Sequence, residues 1–264
     1  MSLVVRSYTV TSRKLTRFYD IVFLSDLHGM SHGKDNERLL TLCRECRPDM
    51  ILCGGDMMTA RFPETLKTAG SLFSALCRLA PVYAAFGNHE SYAAAGCCRT
   101  SPYFNDYLEQ TARIGVSWLV RGHEAFDEHL VIGGFEAPIR AYRKFSRPVL
   151  TAKERDEGSG LRGNDSTYTI LMAHNPYFAP DYLALGCDLT LSGHYHGGLI
   201  CLTDRQVLVS PYGWPLPRFG HGRYDRDGRT LIVSAGLGDH ALPLRLHNPM
   251  EIVHIKAGPA PERE

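Results

Sequence analysis

The sequence predicts an α/β protein, with a parallel or mixed sheet and helices packed outside it. Three observations lead there. Short apolar runs recur without polar alternation, which suits strands buried on both faces. Helical patterns separate the early runs, and strand–helix alternation implies a sheet of that kind. Each of five runs also ends in Asp, Asn or His, at the strand ends where open α/β sheets bind ligands.

Taken in order, "IVFLSDLHG" runs from Ile21 to Leu24 and delivers Asp26 and His28. "NERLLTLCRECRP" follows, with Leu39, Leu40, Cys43 and Cys46 as the apolar side of a helix that stops before Pro48. "MILCGGD" runs from Met50 to Cys53 and delivers Asp56. "PETLKTAGSLFSALCRLA" carries Leu66, Ala69, Leu72, Phe73, Leu76 and Leu79 at helical spacing, with Pro63 near its start. "VYAAFGNHE" delivers Asn88, His89 and Glu90, and "SPYFNDYLEQTARIG" reads as a helix stopped at Gly115. "YTILMAHNP" delivers His174 and Asn175, and "LTLSGHYHGG" delivers His194 and His196. The runs "HLVIGGFE", "QVLVS", "TLIVSAGLG" and "MEIVHIKA" lie closer to their neighbours and predict antiparallel strands in the second half.

At 264 residues, with no linker, the chain reads as a single domain over 1–264. Residues 139–166 have little periodicity and an excess of Arg and Lys, so they read as a solvated loop or as a cap that helps attract an anion. Residues 257–264 are expected to be a frayed tail. A formal charge of +1 gives no nucleic-acid signature. No apolar run reaches the ~18 residues of a transmembrane segment, and the start lacks a signal-like core, so a cytoplasmic setting is expected, with peripheral membrane association left open. "CREC" is the one C-x-x-C, and no second pair completes a zinc cage, so its cysteines are expected to pack in the core.

The strand ends collect two aspartates, one asparagine and four histidines, with His89 beside them. Imidazole and oxygen donors without thiolate point to zinc, manganese or iron. Seven donors exceed what one ion with an open position needs, and two ions sharing an aspartate is the economical reading. In an extended segment, His194 and His196 would stand ~6.6 Å apart, which suits gripping two ions ~3.5–4 Å apart. Such a site stays positive and would attract phosphate.

These residues resemble the calcineurin-like metallophosphoesterases. The family's motifs appear in order as Asp26-Leu27-His28, Gly55-Asp56, Gly87-Asn88-His89-Glu90, His174 and Gly193-His194-Tyr195-His196. The likeness runs roughly from Tyr19 to Ile255 and is nearest to the small bacterial phosphodiesterase-like branch. It implies a four-layer α/β/β/α sandwich with mixed sheets. It also implies two divalent metal ions: one on Asp26, His28, Asp56 and His196, the other on Asp56, Asn88, His174 and His194. By the same resemblance, a hydroxide bridging the ions attacks phosphorus in line, His89 protonates the leaving oxygen and Glu90 orients His89. The chain departs from the family with Glu90 in place of Asp, Tyr195 in place of Thr and Leu199 in place of Gln.

The leading expectation is therefore a metal-dependent phosphodiesterase acting on a phosphate-ester substrate. A phosphomonoesterase or Ser/Thr-type protein phosphatase, a lipid-linked pyrophosphate hydrolase and a non-catalytic metal-binding scaffold are the alternatives. Tyr92, Tyr195, Trp214, Phe219 and His221 are candidates for lining a substrate pocket, though covering the core is the plainer reading for each.

Overall fold

The computed structural model describes residues 2–198, 207–208, 213–239, 245 and 248–261. Most of the "QVLVS" run, with Leu199, Cys201, His240 and His247, lies outside them. The described strands are β1 (Leu3–Ser12), β2 (Tyr19–Leu24), β3 (Met50–Cys53), β4 (Val82–Ala84), β5 (Val116–Trp118), β6 (His123–Ala125), β7 (Leu130–Phe135), β8 (Tyr168–Ala173), β9 (Leu189–Ser192), β10 (Gly222–Arg226), β11 (Arg229–Val233) and β12 (Met250–Pro259). The helices are α1 (Glu37–Glu45), α2 (Thr65–Leu76), α3 (Asn88–Ala94), α4 (Ser101–Arg113), α5 (Ala152–Gly158) and α6 (Ala179–Ala184).

The strands form two six-stranded sheets, ordered β1-β12-β2-β3-β4-β5 and β10-β11-β9-β8-β7-β6. Both are mixed. The steps β2 to β3, β3 to β4 and β4 to β5 are parallel, as are β7 to β8 and β8 to β9. The β6–β7, β10–β11 and β2–β12 pairs are antiparallel.

Side-chain alternation explains why the apolar runs are unbroken. Ile21 and Phe23 of β2, with Met50 and Leu52 of β3, face inward and meet Ile170, Met172, Leu189 and Ile232 of the second sheet. Their neighbours Val22, Leu24, Ile51 and Cys53 face outward, beneath Leu39 and Cys43 of α1, Leu72 and Phe73 of α2 and Phe104 of α4. On the far side, Leu171 and Ala173 of β8 pack under Phe178 and Tyr182. The result is the four-layer α/β/β/α sandwich. Each of the large buried side chains contributes roughly 1.5–3 kcal/mol. Cys43 lies in this packing, and burial pushes its thiol up to about 12, so it is an inert core group.

Some expectations need correcting. Residues 139–166, read as a solvated loop or a cap, hold regular structure: a 3₁₀ turn, Ile139–Tyr142, and α5, whose Thr151 and Glu154 form a capping box. Ala257, Gly258 and Pro259 belong to β12, which pairs with β1, so the strand enters the stretch expected to fray. The sequence reading also passed over β1, an edge strand, and over β5 and β6, which are too short for a periodic signal. No helix among the described residues is long and apolar enough to cross a membrane.

Candidate metal centre

The loops after β2, β3, β4, β8 and β9 meet at one end of the two sheets, and backbone hydrogen bonds tie them together. The Asp26 amide donates to Gly55 O at 3.0 Å and the His28 amide to Asp56 O at 2.9 Å. On the other sheet, the Gly193 amide donates to His174 O at 3.0 Å. The contact between the β3 and β4 loops is so close that a Cβ on Gly55 (φ 95°) would lie 2.2 Å from Gly87 N. That approach requires glycine. Asp26, His28, Asp56, His194 and His196 all take positive φ, between 50° and 66°. Backbone strain of this kind concentrates where side chains must be aimed.

The aimed groups converge. Asp26 Oδ1 lies 3.4 Å from His196 Nε2 and 4.0 Å from His28 Nε2, and those two ring nitrogens are 3.0 Å apart. Asp56 Oδ2 lies 3.2 Å from His174 Nε2 and 3.9 Å from His28 Nε2. Asp26, His28 and His196 form one group able to hold a metal ion, and Asp56, His174 and His194 form another. A third group, His28, Asp56 and His89, spans them.

The surroundings test whether a cation fits. His174 Nδ1 pairs with Gly54 O at 2.8 Å and His196 Nδ1 with Gly238 O at 3.1 Å. Those carbonyls accept the Nδ1 protons and leave both Nε2 atoms turned inward as lone-pair donors, as metal-ligating imidazoles are usually held. His174 Nε2 is buried without a hydrogen-bond partner, although Asp56 is near. The side-chain oxygen of Asn88 faces Asp56 Oδ2 at 3.2 Å and His194 Nδ1 at 2.9 Å, two acceptors. A turned amide would donate to both, and with the oxygen inward a cation between the three groups would satisfy them. Burial pulls the His174 imidazole down, but the carboxylates of Asp56 and Asp26 outweigh it and push it up to about 10. His28 goes the other way, to about 3, through burial and the neighbouring His196. The carboxylate pair thus demands positive charge at its centre, and the donor set fits a divalent ion.

His89 stands beside these groups with its ring centroid 5.0 Å from that of His28. Its Nδ1 accepts the Ala60 amide at 2.9 Å, so the neutral ring carries its proton on Nε2. Glu90 does not orient His89. It is fully buried, and its carboxylate accepts the amides of Asp56 (2.8 Å), Met57 (2.9 Å) and Gly87 (3.0 Å). The longer side chain reaches past its own helix start to the β3 loop, and Ala60 takes the orienting role.

Two contributors were not singled out from sequence. Tyr142, within the stretch considered as a cap, brings its ring centroid to 5.2 Å from that of His194. Arg245 donates to Gly238 O, the carbonyl that holds His196. The tie from Gly238 O to His196 spans 42 residues and runs through a backbone carbonyl, which leaves no local sequence signal. Of the pocket candidates, Tyr195, Trp214 and Phe219 do line a cavity of ~720 Å³, whereas His221 is buried elsewhere against Glu251.

Known proteins give the same picture. The chain is 26% identical over 247 residues to a transmembrane protein with metallophosphoesterase domain from Danio rerio, covering 89% of this chain but 52% of that one. It is 26% identical over 264 residues to an uncharacterized metallophosphoesterase of Aquifex aeolicus, covering 95% and 90%. To the phosphodiesterase YaeI of Escherichia coli it is 26% identical over 212 residues, covering 78% and 68%. The sequence profile of the calcineurin-like phosphoesterases matches residues 19–198. That match opens on the first residue of β2 and closes just past His196, taking in every converging side chain, and the chain belongs to this family.

Proposed function

We propose that this chain is a phosphodiesterase that works with two divalent metal ions. Asp26, His28, Asp56 and His196 would hold one ion, and Asp56, Asn88, His174 and His194 the other, with Asp56 shared. When bound, such ions lower the pKa of a shared water toward neutrality and neutralise phosphoryl oxygens.

The observation that carries the reading is the position of Asp56 Oδ2, 3.2 Å from His174 and 3.9 Å from His28, with the Asn88 side-chain amide beside it. The other Asp56 oxygen accepts the His89 amide at 2.8 Å, which leaves Oδ2 to serve both ions. That same bond sets His89 over the site, and the Ala60 amide fixes its tautomer. His89 Nε2–H is then the group that donates to the leaving oxygen. Imidazole and oxygen donors suit manganese, iron or zinc. The diester preference draws support from the relative named as a phosphodiesterase.

The test pairs metal analysis of protein purified without chelator with hydrolysis of bis-p-nitrophenyl phosphate and p-nitrophenyl phosphate in added Mn²⁺. We expect two metals per chain and faster diester cleavage. Faster monoester cleavage would overturn the diester preference, and full activity at one metal per chain would overturn the shared-carboxylate site.

A further inference from the structure

The cavity of ~720 Å³ is lined by residues next in the chain to proposed metal ligands. Tyr195, which lines it, stands in the chain between His194 and His196, with its ring centroid 5.9 Å from that of His194. Pro176 and Tyr177, which also line it, follow His174 and Asn175 directly. The walls are unlike those of a hole left in a core. Among the described residues they comprise four aromatic rings, four prolines and two arginines, with no Leu, Ile, Val or Met.

A cavity for an alkyl chain wants adaptable aliphatic side chains, as a hydrophobic core does. Rigid flat faces suit a flat guest. Arg147 lies over the Trp214 ring at 5.0 Å and Arg218 over the Phe219 ring at 5.2 Å. Both arginines line the cavity beside these rings, where a guanidinium suits an anionic ester and its plane can stack on an aromatic guest.

Resting on the phosphodiesterase reading above, we propose that this cavity receives a planar aromatic ring carried by the substrate's phosphate. Trp214 and Tyr177 supply the stacking faces, and Arg147 and Arg218 supply charge beside them.

The test uses diesters that release the same non-aromatic alcohol, 2,2,2-trifluoroethanol, and differ in the group retained: methyl, octyl and 5′-thymidyl. The thymidyl ester is expected to exceed the methyl ester in kcat/KM by about tenfold, a stacking-sized effect. Trp214→Ala is expected to abolish that advantage while the methyl ester loses far less, with an unchanged urea midpoint showing that the variant is folded. Equal kcat/KM for thymidyl and methyl esters, or an equal loss on both in the variant, overturns the proposal. An octyl ester favoured over thymidyl and sensitive to Trp214→Ala makes this an alkyl-chain cavity instead. If the wild type cleaves none of the three, the phosphodiesterase reading fails while the cavity can still be judged. Saturable quenching of tryptophan emission by adenosine 5′-sulfate, absent in Trp214→Phe, would then support the ring site, and its absence in the wild type would overturn it.

Discussion

Glu90 and Asp56 hold each other from opposite ends. A Glu90 oxygen accepts the Asp56 backbone amide at 2.8 Å, while an Asp56 oxygen accepts the amide of His89, the residue before Glu90, at 2.8 Å. The β3 loop and the start of α3 are thereby locked as one unit. The lock is made from a carboxylate that burial, and then the Asp56 charge, push up to about 7.

Glu90→Ala strands three buried amides, and at about 1–3 kcal/mol for each unsatisfied group it should cost roughly 3 kcal/mol or more in urea unfolding. Glu90→Asp, one methylene shorter, should lose part of the grip, lowering stability and metal content together. Were Glu90→Asp instead to change turnover at full metal occupancy and unchanged stability, the carboxylate would be acting on His89 rather than on the loop.

Asp56→Asn keeps the shape and replaces one oxygen with a donor. Because Oδ2 faces both His28 and His174, the substitution should lower the occupancy of both ions as measured by elemental analysis. Loss of one ion alone would mean that the carboxylate is not shared. Chelator treatment of the wild type followed by Mn²⁺ titration gives the reference curve.

His89→Ala removes a proton donor and no proposed ligand. Metal content should stay at the wild-type value while kcat falls by about 10²–10⁴, the usual worth of a general acid. The deficit should shrink for esters of acidic phenols, whose leaving oxygens need no proton. A metal-depleted variant would make His89 a ligand instead.

How far the sequence reached can be judged residue by residue. The runs ending at Leu24, Cys53, Ala173 and Ser192 were legible because both faces of each strand are buried, which removes the polar alternation. The converging donors were legible because each sits just past such a run, where the fold brings strand ends together. What stayed hidden is what long-range geometry decides. Glu90 could be read as a partner for His89 because the two are adjacent in sequence, yet α3 turns its carboxylate to the Asp56 loop. Nothing local marks Ala60 as the group that orients His89, since a backbone amide carries no sequence signature. The same holds for the Gly54 and Gly238 carbonyls behind the histidines.

Glu251 offers a stability prediction whose sign follows from its surroundings. It is 1% exposed in β12, and its carboxylate accepts from His221 Nε2 at 3.0 Å, Arg6 Nε at 3.1 Å and the Ala235 amide at 2.9 Å. Burial pushes this carboxyl up, but the bond and charge of His221, the Ala235 amide and Arg6 outweigh it and hold the group below the usual range. A depressed acid stabilises the fold above its unfolded-state pKa and loses that contribution as pH falls through the folded value. Glu251→Gln should therefore be about 2–4 kcal/mol less stable at neutral pH, with the part-exposed Arg6 contributing least. The gap to wild type should narrow below about pH 4.5, where the carboxyl protonates in the unfolded chain. Denaturant midpoints measured from pH 7 to pH 3.5 decide it, since a gap constant over that span would mean that charge is not what Glu251 contributes. The substitution also reaches the metal centre. Ala235 leads into the turn whose Gly238 carbonyl holds His196 Nδ1, so the ion on Asp26, His28 and His196 should be bound more weakly than the ion on the Asp56, Asn88, His174 and His194 side.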